Sequence, residues 1–246
     1  MKYLLGALLL LITGLGSLES QTLCRIATPS WPNLTNEDGT GYYFDILRNI
    51  YEPLGIKVEI HFVPWKRAVE MVTHSEADLM LGLFYNPENP EAPRWVKWPY
   101  DVEETVAVYK KTSVPLWEGQ ISMENKKVLW PRGYNYYKFL TVKTHWTETT
   151  DVITGLAMLA LDRVDFFMCG KNGILTLPPE KALDKTIYDY RVVIKENLYP
   201  SFAPSSEAQK LARIYDQRIP ILLQNGTIQK IYQNYGKSAP ELFPRE

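Results

Sequence analysis

Apolar and polar positions follow two different periods in the N-terminal part of the chain. Residues 43–54 place apolar side chains three or four positions apart and stop at Gly55, which predicts a helix. Residues 77–84 are continuously apolar, which is typical of a buried parallel strand. The predicted elements are a strand at 23–28, a helix at 43–54, a strand at 56–63, a helix at 65–73 and a strand at 77–84. This βαβαβ order predicts a parallel sheet covered by helices.

A second series of the same kind follows a proline-rich segment. Pro87, Pro90, Pro93 and Pro99 interrupt the pattern and predict a loop or a short helix. Beyond them we predict strands at 104–109, 127–130, 147–150, 164–169 and 190–194, and a crossing segment at 199–203. We predict helices at 134–142, 152–161, 205–223 and 227–235. Two successive series predict an α/β protein of two open lobes joined by a hinge, with a ligand cleft at the carboxyl ends of the strands.

The N-terminal residues have the pattern of an export signal. Lys2 precedes an apolar stretch at 3–12, and small residues follow as far as Ser20. An uncleaved membrane anchor is the alternative, but the stretch is shorter than the ~20 residues that cross a bilayer. We therefore expect residues 1–20 to be a cleaved signal peptide and the mature protein to be periplasmic.

The composition narrows the kind of partner. The formal net charge is −1, from 27 basic and 28 acidic side chains, which gives no electrostatic reason to expect nucleic acid or an anionic membrane. The chain carries 7 Trp and 16 Tyr, more than a core of this size requires. Since rigid amphipathic rings give contact area at a low entropic cost, we expect some of them to line a site for a small molecule.

Four segments, in order, resemble one protein family. They are residues 41–82, residues 98–100 (Trp-Pro-Tyr), residues 126–140 and residues 153–168. The chain is similar to the family-3 extracytoplasmic solute-binding proteins, which are best known for the uptake of polar amino acids. The resemblance implies a type II periplasmic-binding-protein fold. It also implies a monomer that captures a small solute without a cofactor and delivers it to an ABC permease in the inner membrane.

The resemblance also implies how the chain divides between the lobes. Residues 21–103 and 198–246 are expected to form the first lobe, and residues 104–197 the second. The C-terminal helices would then pack back on the first lobe.

First-lobe site residues follow from the resemblance when positions are counted from Asp78. Trp65 stands thirteen positions earlier, where the family has a pocket aromatic residue, and Trp31 takes the second aromatic position. The positions at which the family presents backbone and hydroxyl groups to its ligand are Gly82, Leu83 and Tyr85. These five residues are expected to form the first-lobe wall of the pocket.

The expected second-lobe contacts follow Gly133. They are Tyr134, Asn135 and Tyr136, where the family has small hydroxyl residues that hold an anion at the N-terminus of a helix. Helix N-termini favour negative charge, so this position implies a place for an anionic ligand group if the predicted helix at 134–142 forms.

Two departures from the family pattern concern charge. Amino-acid binders have an arginine twelve positions after Asp78, where this chain has Pro90, and an acid five positions after Asp165, where it has Gly170. Arg94 or Arg132 is a candidate replacement for the missing arginine. Without both anchors a zwitterion would leave buried charges unpaired, so we expect a cyclic, aromatic or polyhydroxylated solute, or a cation held over ring faces.

Two alternative functions remain open. Some proteins of this fold are dehydratases or similar lyases, and the loop acids Glu37 and Asp38 are the carboxylates that such chemistry would use here. The histidines show no catalytic or ligand spacing, and no metal or nucleophile motif is present, so we expect a protein that is not an enzyme. A free-standing ligand sensor is the other alternative.

The two cysteines, Cys24 and Cys169, form no disulfide framework by their number or spacing. Pairing in an oxidising compartment is possible in principle. We expect two separate buried thiols that bind no metal.

Overall fold

The computed structural model describes residues 22–85 and 96–244. The strands are β1 Leu23–Thr28, β2 Lys57–Phe62, β3 Leu79–Phe84, β4 Asp101–Lys110, β5 Lys127–Pro131, β6 His145–Thr149, β7 Phe166–Gly170 and β8 Tyr188–Phe202. The α-helices are α1 Tyr42–Tyr51, α2 Trp65–Thr73, α3 Val152–Ala160, α4 Lys171–Leu175, α5 Ser206–Gln224 and α6 Thr227–Asn234. The predicted signal at 1–20 and the candidate Arg94 lie outside the described residues.

One sheet of eight strands runs through the molecule in the order β2-β1-β3-β8-β4-β7-β5-β6. β1 pairs in parallel with β2 and β3, and β5 pairs in parallel with β6 and β7. The 15-residue strand β8 joins the two halves, because its C-terminal part pairs antiparallel with β3 and the remainder pairs antiparallel with β4. β4 and β8 are therefore the backbone connection between the halves.

The hydrophobic core is divided although the sheet is continuous. One cluster packs β1–β3, α1, α2, α5 and α6 around Phe44, Tyr51 and Phe202. Two further clusters cover opposite faces of the other half, one around Trp130 and Phe166 and one around Phe167. We call the first half the first lobe and the second half the second lobe. The molecule is an α/β protein of two lobes, as the sequence predicts.

Local sequence explains several element boundaries. Pro64 stands immediately before α2 with φ −58° and ψ 150°, outside the helical region, so the helix begins at Trp65. Asp151 caps α3 by accepting a hydrogen bond from the Thr154 backbone N–H at 2.8 Å. The buried Asp78 accepts hydrogen bonds from the backbone N–H and the guanidinium of Arg25, which ties β1 to the turn before β3.

Three sequence predictions differ from the structure. The helix predicted at 134–142 is wrong, because Asn135 has φ 53° and a four-residue 3-10 turn, Tyr136–Phe139, follows it. The strand predicted at 190–194 and most of the crossing segment predicted at 199–203 are parts of one strand, β8. The short helix α4 has no counterpart among the predictions.

Among the described residues, no helix combines the length and the apolar character that a bilayer crossing requires.

Candidate ligand-binding site

A cavity of about 150 Å³ lies between the two lobes. First-lobe residues in its wall include Trp31, Leu34, Trp65, Gly82 and Leu83. Second-lobe residues include Gly133, Tyr134, Asn135, Tyr136, Cys169, Gly170 and Asn172. The crossing strand β4 adds Glu103. Since a cavity of this volume accommodates a molecule about the size of benzene, the occupant must be small.

Two tryptophan rings and a glycine form the aromatic wall of the first lobe. The ring centroids of Trp31 and Trp65 are 6.2 Å apart, with an angle of 47° between the rings. Gly82 has φ 88°, and a Cβ there would lie 2.8 Å from the Trp31 ring and 3.2 Å from the Trp65 ring. Position 82 must therefore be glycine, both for its backbone conformation and for the approach of the two rings.

Side chains from the two lobes meet across the cavity. The Trp31 Nε1–H donates a hydrogen bond to the Tyr134 hydroxyl at 3.2 Å, and the rings of Trp65 and Tyr134 are 5.4 Å apart. The Asn172 amide donates a hydrogen bond to the Pro32 carbonyl at 2.9 Å. These contacts hold the lobes together over the cavity, so the structure is a closed conformation.

Gly82 does not offer its N–H to the cavity. That N–H donates to the Tyr100 hydroxyl at 2.7 Å, although Gly82 itself lines the cavity, and its contact with a ligand remains a prediction. Tyr100, from the Trp-Pro-Tyr segment, is 2% exposed and holds β3 in place. Tyr85 is not part of the cavity wall. Its ring packs against Tyr199 of β8 at 6.2 Å, within the first-lobe core.

Tyr136 is the most buried aromatic residue of the second-lobe wall, at 2% exposed. Among the residues that the structure describes, its hydroxyl makes no hydrogen bond of normal geometry. Asn135 also lines the cavity but lies in the left-handed region of the backbone. The predicted anion site at this position is wrong, since a 3-10 turn of four residues has too few free N–H groups in line to act as a helix N-terminus.

Glu103 is a charged cavity residue that the sequence analysis did not identify. Its carboxylate accepts one long hydrogen bond, from the Thr105 hydroxyl at 3.3 Å. Burial, together with the nearby charge of Asp101, raises the pKa of Glu103 to about 7, although Thr105 and Tyr136 act in the opposite direction. The alternation along β4 is the signal for it, because a strand that begins at Asp101 places Asp101, Glu103 and Thr105 on one face.

Comparison with known proteins places the chain in a family. The sequence matches the bacterial extracellular solute-binding proteins, family 3, over residues 27–238. The chain belongs to this family. No curated relative matches it at a significant level.

Solved structures of several functional classes share the fold of this family-3 protein. A substrate-binding protein of an ABC uptake transporter from Streptococcus pneumoniae, with bound histidine, is 20% identical over 89% of this chain and 95% of its own, with a TM-score of 0.71. An ancestral amino-acid-binding protein, a precursor of cyclohexadienyl dehydratase, is 16% identical over 87% and 96%, with a TM-score of 0.66. A histidine kinase sensor domain is 16% identical over 89% and 98%, with a TM-score of 0.69. At these identities the likeness shows the fold alone.

This family-3 protein has an acidic side chain beside Gly170, where the sequence analysis expected none. Position 170 is glycine, but a Cβ there would lie 3.1 Å from the Glu103 Oε1, so the Glu103 carboxylate occupies the space beside it. The expectation of a pocket without a fixed acid is therefore wrong. Arg132 is exposed and is not part of the described cavity wall. Lys138 lines the cavity and is also exposed.

The remaining candidate groups lie apart from the cavity or are inert. Glu37 and Asp38 are exposed and do not line it, and Asp38 accepts hydrogen bonds from Thr40. Cys24 and Cys169 are free, buried thiols, and burial raises the pKa of both. Within residues 22–85 and 96–244, no group of histidine, cysteine and carboxylate side chains is arranged to hold a metal ion.

Proposed function

We propose that this family-3 protein captures one small solute in the inter-lobe cavity, leaves it chemically unchanged and delivers it to an ABC permease. The cavity between the lobes, walled by residues of both, is the observation that carries this proposal. A ligand held there contacts both lobes at once and so favours the closed arrangement over the open one. Delivery then requires reopening, which the two crossing strands allow without breaking either core.

The predicted site residues enter this proposal according to their place in the structure. Trp31, Trp65 and Tyr134 are the proposed ring contacts, and Tyr136 and Asn135 the proposed polar contacts. Leu83 lines the cavity beside them. The division of the chain at residues 103 and 197 remains a prediction, as do the periplasmic location after removal of residues 1–20 and the monomeric state.

Binding without turnover is the first test. A thermal-shift screen should include zwitterionic amino acids, organic cations and neutral ring compounds, because a ligand at 100 times its dissociation constant adds about 2.7 kcal/mol of stability. The compound that raises the melting temperature should be recovered unchanged after long incubation, as NMR of the mixture would show. Trp65→Ala should abolish its effect while the variant stays folded. A screen of this breadth without any saturable ligand would contradict the proposal.

Delivery is tested separately. Cells that lack the gene should accumulate the radiolabelled ligand more slowly than the parent, and the wild-type gene should restore uptake. Unchanged uptake with retained binding would instead favour a ligand sensor.

A lyase is the second candidate, and Glu103 favours it. A carboxyl group with a pKa of about 7 in an enclosed cavity has the protonation behaviour that a general acid requires near neutral pH. The same NMR experiment separates the two functions. Product formation that Glu103→Gln abolishes, with ligand binding retained, would establish catalysis.

A further inference from the structure

Glu103 has more hydrogen-bonding capacity than its surroundings satisfy. An ionised carboxylate has two oxygens with about four acceptor positions. Within the described residues, the hydrogen bond that reaches it with normal geometry is the 3.3 Å contact from Thr105. The cavity is thus the side from which further donors or a positive charge can reach the carboxylate.

A second polar side chain, that of Tyr136, lines the same cavity. The Tyr136 hydroxyl is buried and makes no hydrogen bond of normal geometry within the described residues, yet it lies near enough to Glu103 for the two groups to perturb each other's pKa. A buried hydroxyl of this kind costs free energy until a partner arrives. A ligand beside Glu103 would supply that partner.

The rest of the wall is aromatic. The rings of Trp31, Trp65, Tyr134 and Tyr136 follow one another at centroid distances of 6.2, 5.4 and 5.6 Å, the last pair being almost perpendicular at 83°. The electron-rich faces of such rings attract organic cations, most strongly where water is excluded. Lys138, the cationic residue in the described wall, is exposed and forms no ion pair with Glu103 there.

We propose that Glu103 is the charged anchor of the cavity and binds the cationic group of a small organic ammonium ligand, whose alkyl part lies against the aromatic rings. This inference rests on the proposed solute-binding function. The ionised carboxylate repels an anionic ligand, and beside a neutral ligand Glu103 stays partly protonated near neutral pH. A cationic ligand supplies the compensating charge that favours the ionised form.

Choline and 3,3-dimethylbutan-1-ol form a suitable pair of probes. They have nearly the same shape, but a carbon atom replaces the charged nitrogen in the second. In calorimetric titration of the full-length protein, choline should bind at least about tenfold more tightly than the neutral analogue. Glu103→Gln should lower the choline affinity about tenfold or more and leave that of the neutral probe unchanged, and Glu103→Asp should retain part of the preference.

Glu196→Gln is the matched control. Glu196 lies opposite Glu103 in the β4–β8 pairing and has the same charge, but it is exposed and outside the described cavity wall. The control should leave both affinities unchanged. Equal effects of the two variants would mean that the overall charge of this region, and not the Glu103 carboxylate, attracts choline, which overturns the proposal.

The pH dependence gives a readout that a purely structural role of Glu103 would not produce. Choline has a fixed charge, so its affinity should rise between about pH 5 and pH 8 as Glu103 ionises, and Glu103→Gln should abolish the rise. The other titratable groups around Glu103 include Tyr42 on α1, Tyr100 before β4, Asp101 on β4, Tyr134 and Tyr136 after β5, Lys138 of the cavity wall, Cys169 on β7 and Glu196 on β8. The tyrosines and Cys169 have raised pKa values and stay neutral in this range.

The outcomes separate this inference from the proposed function. If choline and its neutral analogue bind equally, or if Glu103→Gln leaves choline binding intact, the anchor assignment is wrong. If another solute binds with equal affinity to wild type and to Glu103→Gln, the proposed function stands but the assignment of Glu103 as the charged anchor is wrong. If no compound of the wider screen binds to the wild type, both proposals fail.

Discussion

Two carboxylates stand two residues apart on one face of β4, and they have opposite surroundings. Asp101 is 7% exposed and accepts hydrogen bonds from the Tyr42 and Tyr43 hydroxyls at 3.0 and 2.7 Å, and from the Val102 N–H at 2.8 Å. Within the described residues, the bond of normal geometry that Glu103 accepts is the long one from Thr105, at 3.3 Å. Burial raises the pKa of both groups. What distinguishes a structural carboxylate from one that is available to a ligand is therefore the number of donors around it, and not the pKa.

Asp101→Ala should produce the largest effect on stability. The variant leaves two buried tyrosine hydroxyls without an acceptor, so the free energy of unfolding should fall by about 3–5 kcal/mol. Urea denaturation measures this. Tyr43→Phe, which removes one of the bonds, should cost about 1 kcal/mol. If the Asp101→Ala variant were as stable as wild type, Asp101 would not be a structural carboxylate and the contrast with Glu103 would fail.

Glu103→Gln should change stability in the opposite direction. Since the folded state raises the pKa of Glu103 from its usual value of 4.5 to about 7, stability contributed by its protonated form is lost as the pH rises through this window. At pH 8 the variant should therefore unfold at a higher urea concentration than wild type, with a free energy of unfolding larger by up to about 3 kcal/mol. Below about pH 4 the two proteins should be equally stable.

Glu104→Gln serves as the control for this measurement. Lys171 lowers the pKa of Glu104, so neutralising Glu104 should lower stability above its pKa. If both variants changed the free energy of unfolding in the same direction, the folded state would not disfavour the ionised form of Glu103.

Trp31→Phe should have a smaller effect, confined to lobe closure. It keeps an aromatic ring but removes the Nε1–H that bonds to Tyr134, at a cost of about 1 kcal/mol to the closed state. Small-angle scattering of the ligand-free protein should show a larger average radius. An unchanged profile would mean that Asn172 and Pro32 suffice to hold the lobes together.

Tyr136→Phe should have the smallest effect on the free protein. Within the described residues, the hydroxyl it removes makes no hydrogen bond of normal geometry, so the free energy of unfolding in urea should change by less than about 0.5 kcal/mol. Choline affinity should nevertheless fall. A clear loss of stability would indicate that the hydroxyl already has a partner.

Local pattern predicted most of the fold. α2 begins where Pro64 predicts it, and β1 and β5 follow their apolar runs closely. The helix after Gly133 failed because Gly133 and Asn135 both have positive φ, which apolar periodicity does not reveal. α4 was not predicted, because its five residues, which include Gly173, are too few to show a helical period.

The site was harder to predict because it depends on register between distant strands. Trp31 and Trp65 line the cavity, and their contact with a ligand remains a prediction. Glu103 was missed because β4, which begins at Asp101, was predicted to begin three residues later, at Glu104. The pairing of Thr105 with Gly170, which brings the carboxylate beside the glycine, is long-range and has no local signal.

The hydrogen bond between the Trp31 indole and Tyr134 has a practical consequence. An indole that bonds across the lobes loses that partner and gains water when the cleft opens, so its fluorescence should shift to longer wavelength. The protein thus contains an optical reporter of its own conformation, and the difference between wild-type and Trp31→Phe emission would isolate it from the other tryptophans.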